Sequence, residues 1–293
     1  MAKIIDGEKI ASDIRKEVTT EVERLKKESG ITPGLATVLV GENPASQVYV
    51  NMKEKDSRSV GFYSERHDLP EDTTEERLLS AVKELNNNDK IHGILVQLPL
   101  PKQIDENKVI EAIDPAKDVD GFHPSNVGKA VIGQDTFLPC TPHGVYQLLK
   151  RYKIDTKGAN VVVIGRSNIV GKPMANILLQ RGEGADATVT VTHSATKDLE
   201  DIASRADILI AAIGKPKFVT ADMVKEGAVV IDVGVNRTEE GLVGDVDFEA
   251  VKDKASWITP VPGGVGPMTR AMLLVNTVQS AKRFSKKKTK VKA

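Results

Sequence analysis

Short apolar runs alternate with stretches of helical period along almost the whole chain. The period predicts an amphipathic helix from about Glu8 to Glu28, stopped by Gly30. Strands are then expected at Leu35–Val40, Phe62–Glu65 and Gly93–Leu98, separated by helices near Pro44–Val60 and Thr74–Asn86. Between Lys102 and Pro142 the period fades into a stretch rich in Asp, Pro and Gly, including IDPAKDVDGFHPSNVG, which reads as a functional loop. A helix near His143–Tyr152 opens a second series. It has strands at Asn160–Ile164, Ala187–Thr192, Asp207–Ile213 and Ala228–Val233, and helices near Lys172–Gln180 and Leu199–Ser204. A turn, TPVPGGVGPMT, precedes a last helix ending near Phe284. Strands alternating with helices build parallel sheets covered by helices, so the expectation is an α/β chain of two three-layer domains.

Length agrees, since 293 residues suit two domains of about 150 each. The 41 basic and 41 acidic residues cancel, which removes the electrostatic case for a nucleic-acid or membrane-surface partner and leaves a small molecule as the default. A single cysteine, Cys140, can form neither an internal disulfide nor a Cys-based zinc site and fits a reducing cytoplasm. The opening MAKIIDGEKIASDIRKE lacks a sustained apolar core, and runs such as Ile208–Ile213 fall far short of the roughly 20 residues of a spanning helix. A soluble protein without an export signal is expected. The five histidines are scattered without H-E-x-x-H, so no metal site is inferred. The last nine residues hold five lysines and no acid, which suits either a polyanion-binding tail or, the reading adopted, a solvated frayed end.

VVVIGRSNIVGKPMANILL passes from a β-branched run through a glycine turn into a helix, the setting in which a glycine motif carries meaning. It is not a phosphate-binding P-loop, because five residues separate Gly165 from Gly171 and Lys172 is followed by Pro173. Ile169 rules out a nucleophile elbow, and Ser167 stands where the dinucleotide fingerprint has its middle glycine. Gly165 permits a tight turn, Gly171 a close approach to pyrophosphate, and Pro173 a first helical turn whose N–H groups face an anion. A strand-to-helix turn without ligand has the same appearance. The next strand ends Thr192, His193, Ser194, with no carboxylate for the ribose hydroxyls of NAD. Arg166 beside the turn, with Ser194, suits a 2′-phosphate instead, so NADP is expected over NAD.

In GENPASQVYVNMKEKDS, Asn43 is a plausible cap and Pro44 a first-turn proline, which puts Tyr49 and Lys53 on one helical face. A surface helix with its lysine solvated beside Glu54 and Asp56 satisfies the same spacing. In a dry cleft, desolvation would favour the neutral amine, which can act as a base. Gln97 interrupts an apolar run at the end of a strand, where α/β sheets place ligand contacts, although an edge glutamine bonding backbone looks the same. Asp118 and Asp120 hint at calcium spacing, but Lys129 stands where the loop needs its bidentate Glu.

YVNMK, VQLPLP, KDVDGFHPSNVG, LPCTPHG, VVVIGRSNIVGKP, VIDVGVN, VGDVDF and TPVPGGVGPMT occur together in the order and spacing of the bifunctional methylenetetrahydrofolate dehydrogenase/methenyltetrahydrofolate cyclohydrolase family, which the chain resembles up to its lysine tail. The resemblance implies NADP-linked oxidation of 5,10-methylenetetrahydrofolate and hydrolysis of the product to 10-formyltetrahydrofolate. It implies a folate-binding domain over residues 1–141, to which a helix at 268–284 returns, a Rossmann-type NADP domain over 142–267, an active-site cleft between the two, and a basic tail at 285–293. By motif, Lys53 resembles the general acid/base, Tyr49 the residue that orients substrate, Gln97 the partner of Lys53, and Asp120 the pterin anchor. The resemblance adds Leu98, Pro262, Gly263 and Gly264 to the substrate contacts. It places Gly165, Arg166, Ser167, Ile169, Gly171, Ser194 and Val235 at the cofactor. A homodimer is implied. Arg270 departs from the small aliphatic residue usual in the family; it suits either a contact with the folate tail or, the reading adopted, a position facing solvent.

Overall fold

The structure is a computed structural model; it describes residues 1–239 and 241–292, with side chains through Lys286. In chain order its first elements are β1 (Lys3–Ile4), α1 (Gly7–Ser29), β2 (Gly34–Val40), α2 (Pro44–Ser59), β3 (Tyr63–Leu69), α3 (Glu75–Asn87), β4 (Gly93–Val96), α4 (Glu106–Ala112), α5 (Pro124–Val131) and α6 (Cys140–Arg151). There follow β5 (Asn160–Ile164), α7 (Gly171–Leu178), β6 (Thr188–Thr192), α8 (Leu199–Ala203), β7 (Ile208–Ala211) and β8 (Val229–Asp232). The chain closes with β9 (Asn236–Thr238), β10 (Gly241–Val243), α9 (Phe248–Val251), β11 (Trp257–Ile258) and α10 (Val265–Lys292). Among the described residues no helix is long and apolar enough to cross a membrane.

Two compact units result. One comprises residues 13–129, 135–138 and 273–293; the other comprises 1–12, 130–134 and 139–272. The first holds a parallel sheet in the order β3-β2-β4. Every residue of β2 and β4 is buried, so the strands read as continuous apolar runs because both faces of the sheet are covered. On one face Ala36, Val38, Val40, Ile94 and Val96 pack with Leu78, Val82 and Leu85 of α3, each large aliphatic group contributing about 1.5–3 kcal/mol by burial.

The second unit holds six parallel strands in the order β1-β11-β8-β7-β5-β6. From β5 the chain goes to β6 on one side and then to β7 on the other. That reversal opens a crevice at the C-terminal ends of β5 and β7, where doubly wound sheets bind their ligands.

Three expectations need correction. Residues 1–12 group with the six-stranded sheet, because β1 pairs with β11; two residues of strand are too short to show a period. The stretch read as one loop from Lys102 to Pro142 contains α4, capped by Asp105 and anchored by the buried Val109, and α5, opened by Pro124. β3 runs four residues past Glu65 despite its charges, since an edge strand tolerates polar side chains. α10 continues to Lys292; the side chains from 287 onward and all of residue 293, on which the expected basic tail largely falls, lie outside the described residues.

Candidate active site

In the three-stranded unit the site starts with a helix cap. Asn43 Oδ1 accepts from the N–H groups of Ala45 and Ser46 at 3.0 and 3.1 Å, and Pro44 supplies a first-turn residue with no N–H to satisfy. The cap fixes the rotation of α2, which buries Ser46, Val50, Lys53 and Ser57 at spacings of four, three and four. A stripe at that period is usually apolar; here it carries a lysine that is 9% exposed.

Among the described residues the lysine has one specific partner. Lys53 Nζ donates to Gln97 Oε1 at 3.0 Å. The amide cannot readily turn, because Gln97 Nε2 donates to the carbonyl of Leu98 at 2.7 Å and the Gln97 N–H donates to Val38 at 2.9 Å. Burial and this pairing exclude the solvated surface lysine. Glu54 is engaged elsewhere, with Arg58 and Arg66. Tyr49, one turn before Lys53, is 40% exposed.

Asp120 is half-buried beside a small cavity that it lines with Ile94, Val96, Leu98 and Phe122. The structure thus brings Gln97, Leu98 and Asp120 to the C-terminal end of β4. Two residues that sequence reading did not assign hold Asp120 there. Asp118 accepts from the N–H groups of Gly121, Phe122 and His123 and from Asn126 Nδ2, all within 3.2 Å. Asn276, on α10, donates to the carbonyls of Val119 and Leu138 at 2.8 and 3.0 Å. An acid filled with backbone donors is a turn-former, which is why calcium spacing was misleading. Nearby Lys117 is buried and donates to the carbonyls of Leu85, Asn86 and Asn88, closing the C-terminus of α3. Desolvation lowers its pKa, against the pull of Asp114 and Asp89.

In the six-stranded unit β5 runs into Gly165, with φ of +124°. A Cβ there would lie 2.2 Å from the carbonyl oxygen of Ala212, and one on Gly171 would lie 2.1 Å from that of Gly165. Both glycines are therefore required by backbone packing. Ser167 Oγ accepts from the N–H groups of Val170 and Gly171 at 3.1 and 3.4 Å, so a hydroxyl closes the turn where the common fingerprint has glycine. This corrects the expectation that those N–H groups all face an anion. Ile164 and Thr192 are register partners on β5 and β6. Arg166 and Ser194 each follow two residues after these partners, and both are exposed. Ile169 and Val235 are exposed at 44% and 42%.

Two buried aspartates shape the adjoining loops. Asp232 accepts from the N–H groups of Gly234, Asp245 and Val246 at 2.9–3.0 Å. Burial pushes its carboxyl up to about 7, with the Asp245 charge adding to the rise and the three N–H bonds opposing it. Asp245 accepts from Ile213, Gly214 and Lys215 N–H and from Asn236 Nδ2, at 2.7–2.9 Å. The signal for both was present in VIDVGVN and VGDVDF, where an acid interrupts an apolar run. The Pro262, Gly263 and Gly264 turn abuts the start of α1: Gly263 accepts from Glu8 N–H at 3.0 Å, and a Cβ on Gly7 would lie 1.8 Å from the Gly264 oxygen. Arg270 is half-buried.

Comparison with known proteins agrees with these features. Two family models match: tetrahydrofolate dehydrogenase/cyclohydrolase, catalytic domain, over residues 5–120, and the NAD(P)-binding domain of the same family over residues 139–285. The bifunctional protein FolD of Moorella thermoacetica is 62% identical over 283 residues, covering 96% of this chain and 99% of that protein. The crystal structure of the bifunctional FolD enzyme of Campylobacter jejuni has a TM-score of 0.93 at 51% identity, covering 97% of this chain and 99% of that one. That of the Trypanosoma brucei dehydrogenase-cyclohydrolase, complexed with NADP cofactor and inhibitor, has a TM-score of 0.91 at 42% identity, covering 96% and 98%. With both family domains matched in order and relatives similar over nearly the full length, the chain belongs to the tetrahydrofolate dehydrogenase/cyclohydrolase family.

Proposed function

We propose that this chain carries out its family's two reactions with NADP as oxidant and Lys53 as the general acid/base. The six-stranded unit would hold the cofactor and the three-stranded unit the folate. The observation that carries the reading is the buried amine of Lys53, held at 3.0 Å by an amide that is itself fixed.

NADP held by the six-stranded unit would supply the hydride acceptor for 5,10-methylenetetrahydrofolate; the chain's own task in that step is orientation. Tyr49 packs on the substrate, and Asp120 accepts from adjacent N–H groups of the pterin edge, as one carboxylate can. Water then adds to the methenyl carbon, Lys53 moves one of its protons to the ring nitrogen whose bond to that carbon breaks, and the second proton leaves to solvent as the carbonyl forms, giving the 10-formyl product. Gln97 keeps the amine aimed. Pro262, Gly263 and Gly264 contribute backbone rather than side chains to the substrate site.

The residues present fit NADP. Arg166 offers a guanidinium and Ser194 a hydroxyl at paired strand ends, and the strand before Ser194 ends without a carboxylate. Gly165, Ser167, Ile169, Gly171 and Val235 complete the cofactor contacts. The same reading takes the chain to act in the cytoplasm as a homodimer, supported respectively by its single, buried thiol Cys140 and by family membership.

The test is turnover of methylenetetrahydrofolate with NADP and NAD in parallel, reading reduced cofactor and methenyl product. NADP is expected to be preferred, and Arg166→Ala to cut that preference by about 10-fold, the loss of one charge-assisted contact. Unchanged preference in the variant would refute the cofactor assignment.

A further inference from the structure

The C-terminal ends of β5 and β7 form the two lips of the crevice where the strand order reverses. One lip is the Gly165 turn. The other is the loop Ile213–Lys215, and the lips touch, since the Cα of Gly165 packs on the carbonyl of Ala212 too closely for a Cβ. Whatever sets the second lip also sets the first.

Three consecutive N–H groups, those of Ile213, Gly214 and Lys215, point at the carboxylate of Asp245 at 2.7, 2.9 and 2.9 Å. Gly214 has φ of +65°, so the loop is the concave backbone nest that ordinarily cradles an anion. Here the anion is internal. Asp245 is fully buried, and Asn236 Nδ2 supplies a fourth donor at 2.9 Å, which fills the roughly four acceptor positions of a carboxylate. Its main chain is fixed in turn: Asp232 accepts from Asp245 N–H at 2.9 Å, and the Asp245 carbonyl accepts from Val219 at 2.9 Å. The approach is tight enough that a Cβ on Gly234 would lie 2.1 Å from Asp245 Oδ1, and one on Gly244 would lie 1.8 Å from Asp232 Oδ2.

We propose that Asp245 is a positioning residue for the dinucleotide: its carboxylate occupies the Ile213–Lys215 nest and thereby holds the lip against which the Gly165 turn is built. This rests on the reading that the six-stranded unit binds NADP. Asp245 touches no substrate; it acts through backbone. A carboxylate suits the task better than an amide, because an asparagine would present N–H groups to donors. With its oxygen toward Ile213 and Gly214, an asparagine would leave Lys215 N–H facing an NH2 group.

The experiment compares Asp245→Asn, Asp245→Ala and Asn236→Ala with the wild type. It measures KM and kcat of the dehydrogenase, NADP affinity by calorimetry, and cyclohydrolase turnover of the methenyl substrate without cofactor. The expected result is a graded rise in the KM and Kd for NADP: about 30-fold for Asp245→Ala, about 5-fold for Asp245→Asn and about 2-fold for Asn236→Ala, in step with how many of the four hydrogen bonds to the Asp245 carboxylate are lost. The KM for folate and the cofactor-free hydrolysis should stay within about 2-fold of wild type, which a general loss of folding would not allow. If Asp245→Ala does not fold, the two milder variants still decide. Unchanged NADP affinity in Asp245→Asn, or an equal fall in hydrolysis and cofactor binding, would overturn the proposal. A wild type that shows no NADP-linked oxidation would instead remove the functional reading beneath it.

Discussion

Two buried lysines of the three-stranded unit occupy opposite chemical situations. Lys117 gives its three protons to three backbone carbonyls at the end of α3. Lys53 gives one to a side-chain amide and lies on a helix face whose other members are Ser46, Val50 and Ser57. A cation with every donor spent on backbone is an element of construction. An amine with, among the described residues, a single oriented partner has donor capacity left over. Burial alone would not have separated them, since both are among the buried charged residues; the nature and number of acceptors do.

The sharpest way to break this comparison is to remove each head group while keeping the chain's bulk. Lys53→Met should lower methenyltetrahydrofolate hydrolysis by about 100-fold, the scale of a lost general acid/base, while moving the urea midpoint little. Wild-type-like hydrolysis would end the assignment. Lys117→Met should do the reverse. It leaves three carbonyls short of a donor and should cost about 2 kcal/mol in urea unfolding, with turnover at low temperature within about 2-fold of wild type. A catalytic collapse in the folded Lys117 variant would erase the distinction. Gln97→Ala is a finer probe, expected to reduce hydrolysis by about 10-fold because the amine persists but loses its orientation. An effect equal to that of Lys53→Met would mean that Gln97 takes part in the chemistry directly.

Sequence periodicity located most of the sheet strands because buried parallel strands are continuous apolar runs bounded by turns. β5 was expected at the residues where it occurs, and β2, β6 and β8 differ by a residue or so. Legibility failed where order is imposed from outside the segment. β1 and β11 are strands only because each has the other, or β8, alongside. α4 and α5 depend on caps and on Asp118 more than on an apolar stripe. For the proposed site, Lys53, Gln97 and Asp120 came from motif resemblance, and spacing on its own could not distinguish a solvated Lys53 from a buried one. The positioning residues Asp118, Asn276, Asp232 and Asp245 were harder still. Asp118 works on N–H groups three to five residues on, Asp245 and Asn276 on backbone groups 30 or more residues away, and a sequence displays no backbone partners.

Asp232 carries a consequence for how the dinucleotide unit meets acid and alkali. Its carboxyl titrates at about 7 in the folded chain, against about 3.8 when free. Between those values the native protein retains a proton that the unfolded chain has released, so this group's contribution to stability is greatest below about pH 4 and declines as pH climbs to 7. Melting curves should show wild type losing ground to Asp232→Asn over that interval and holding a constant offset above it. Acidification within that interval would thus firm this scaffold, while above neutrality the group has no further effect.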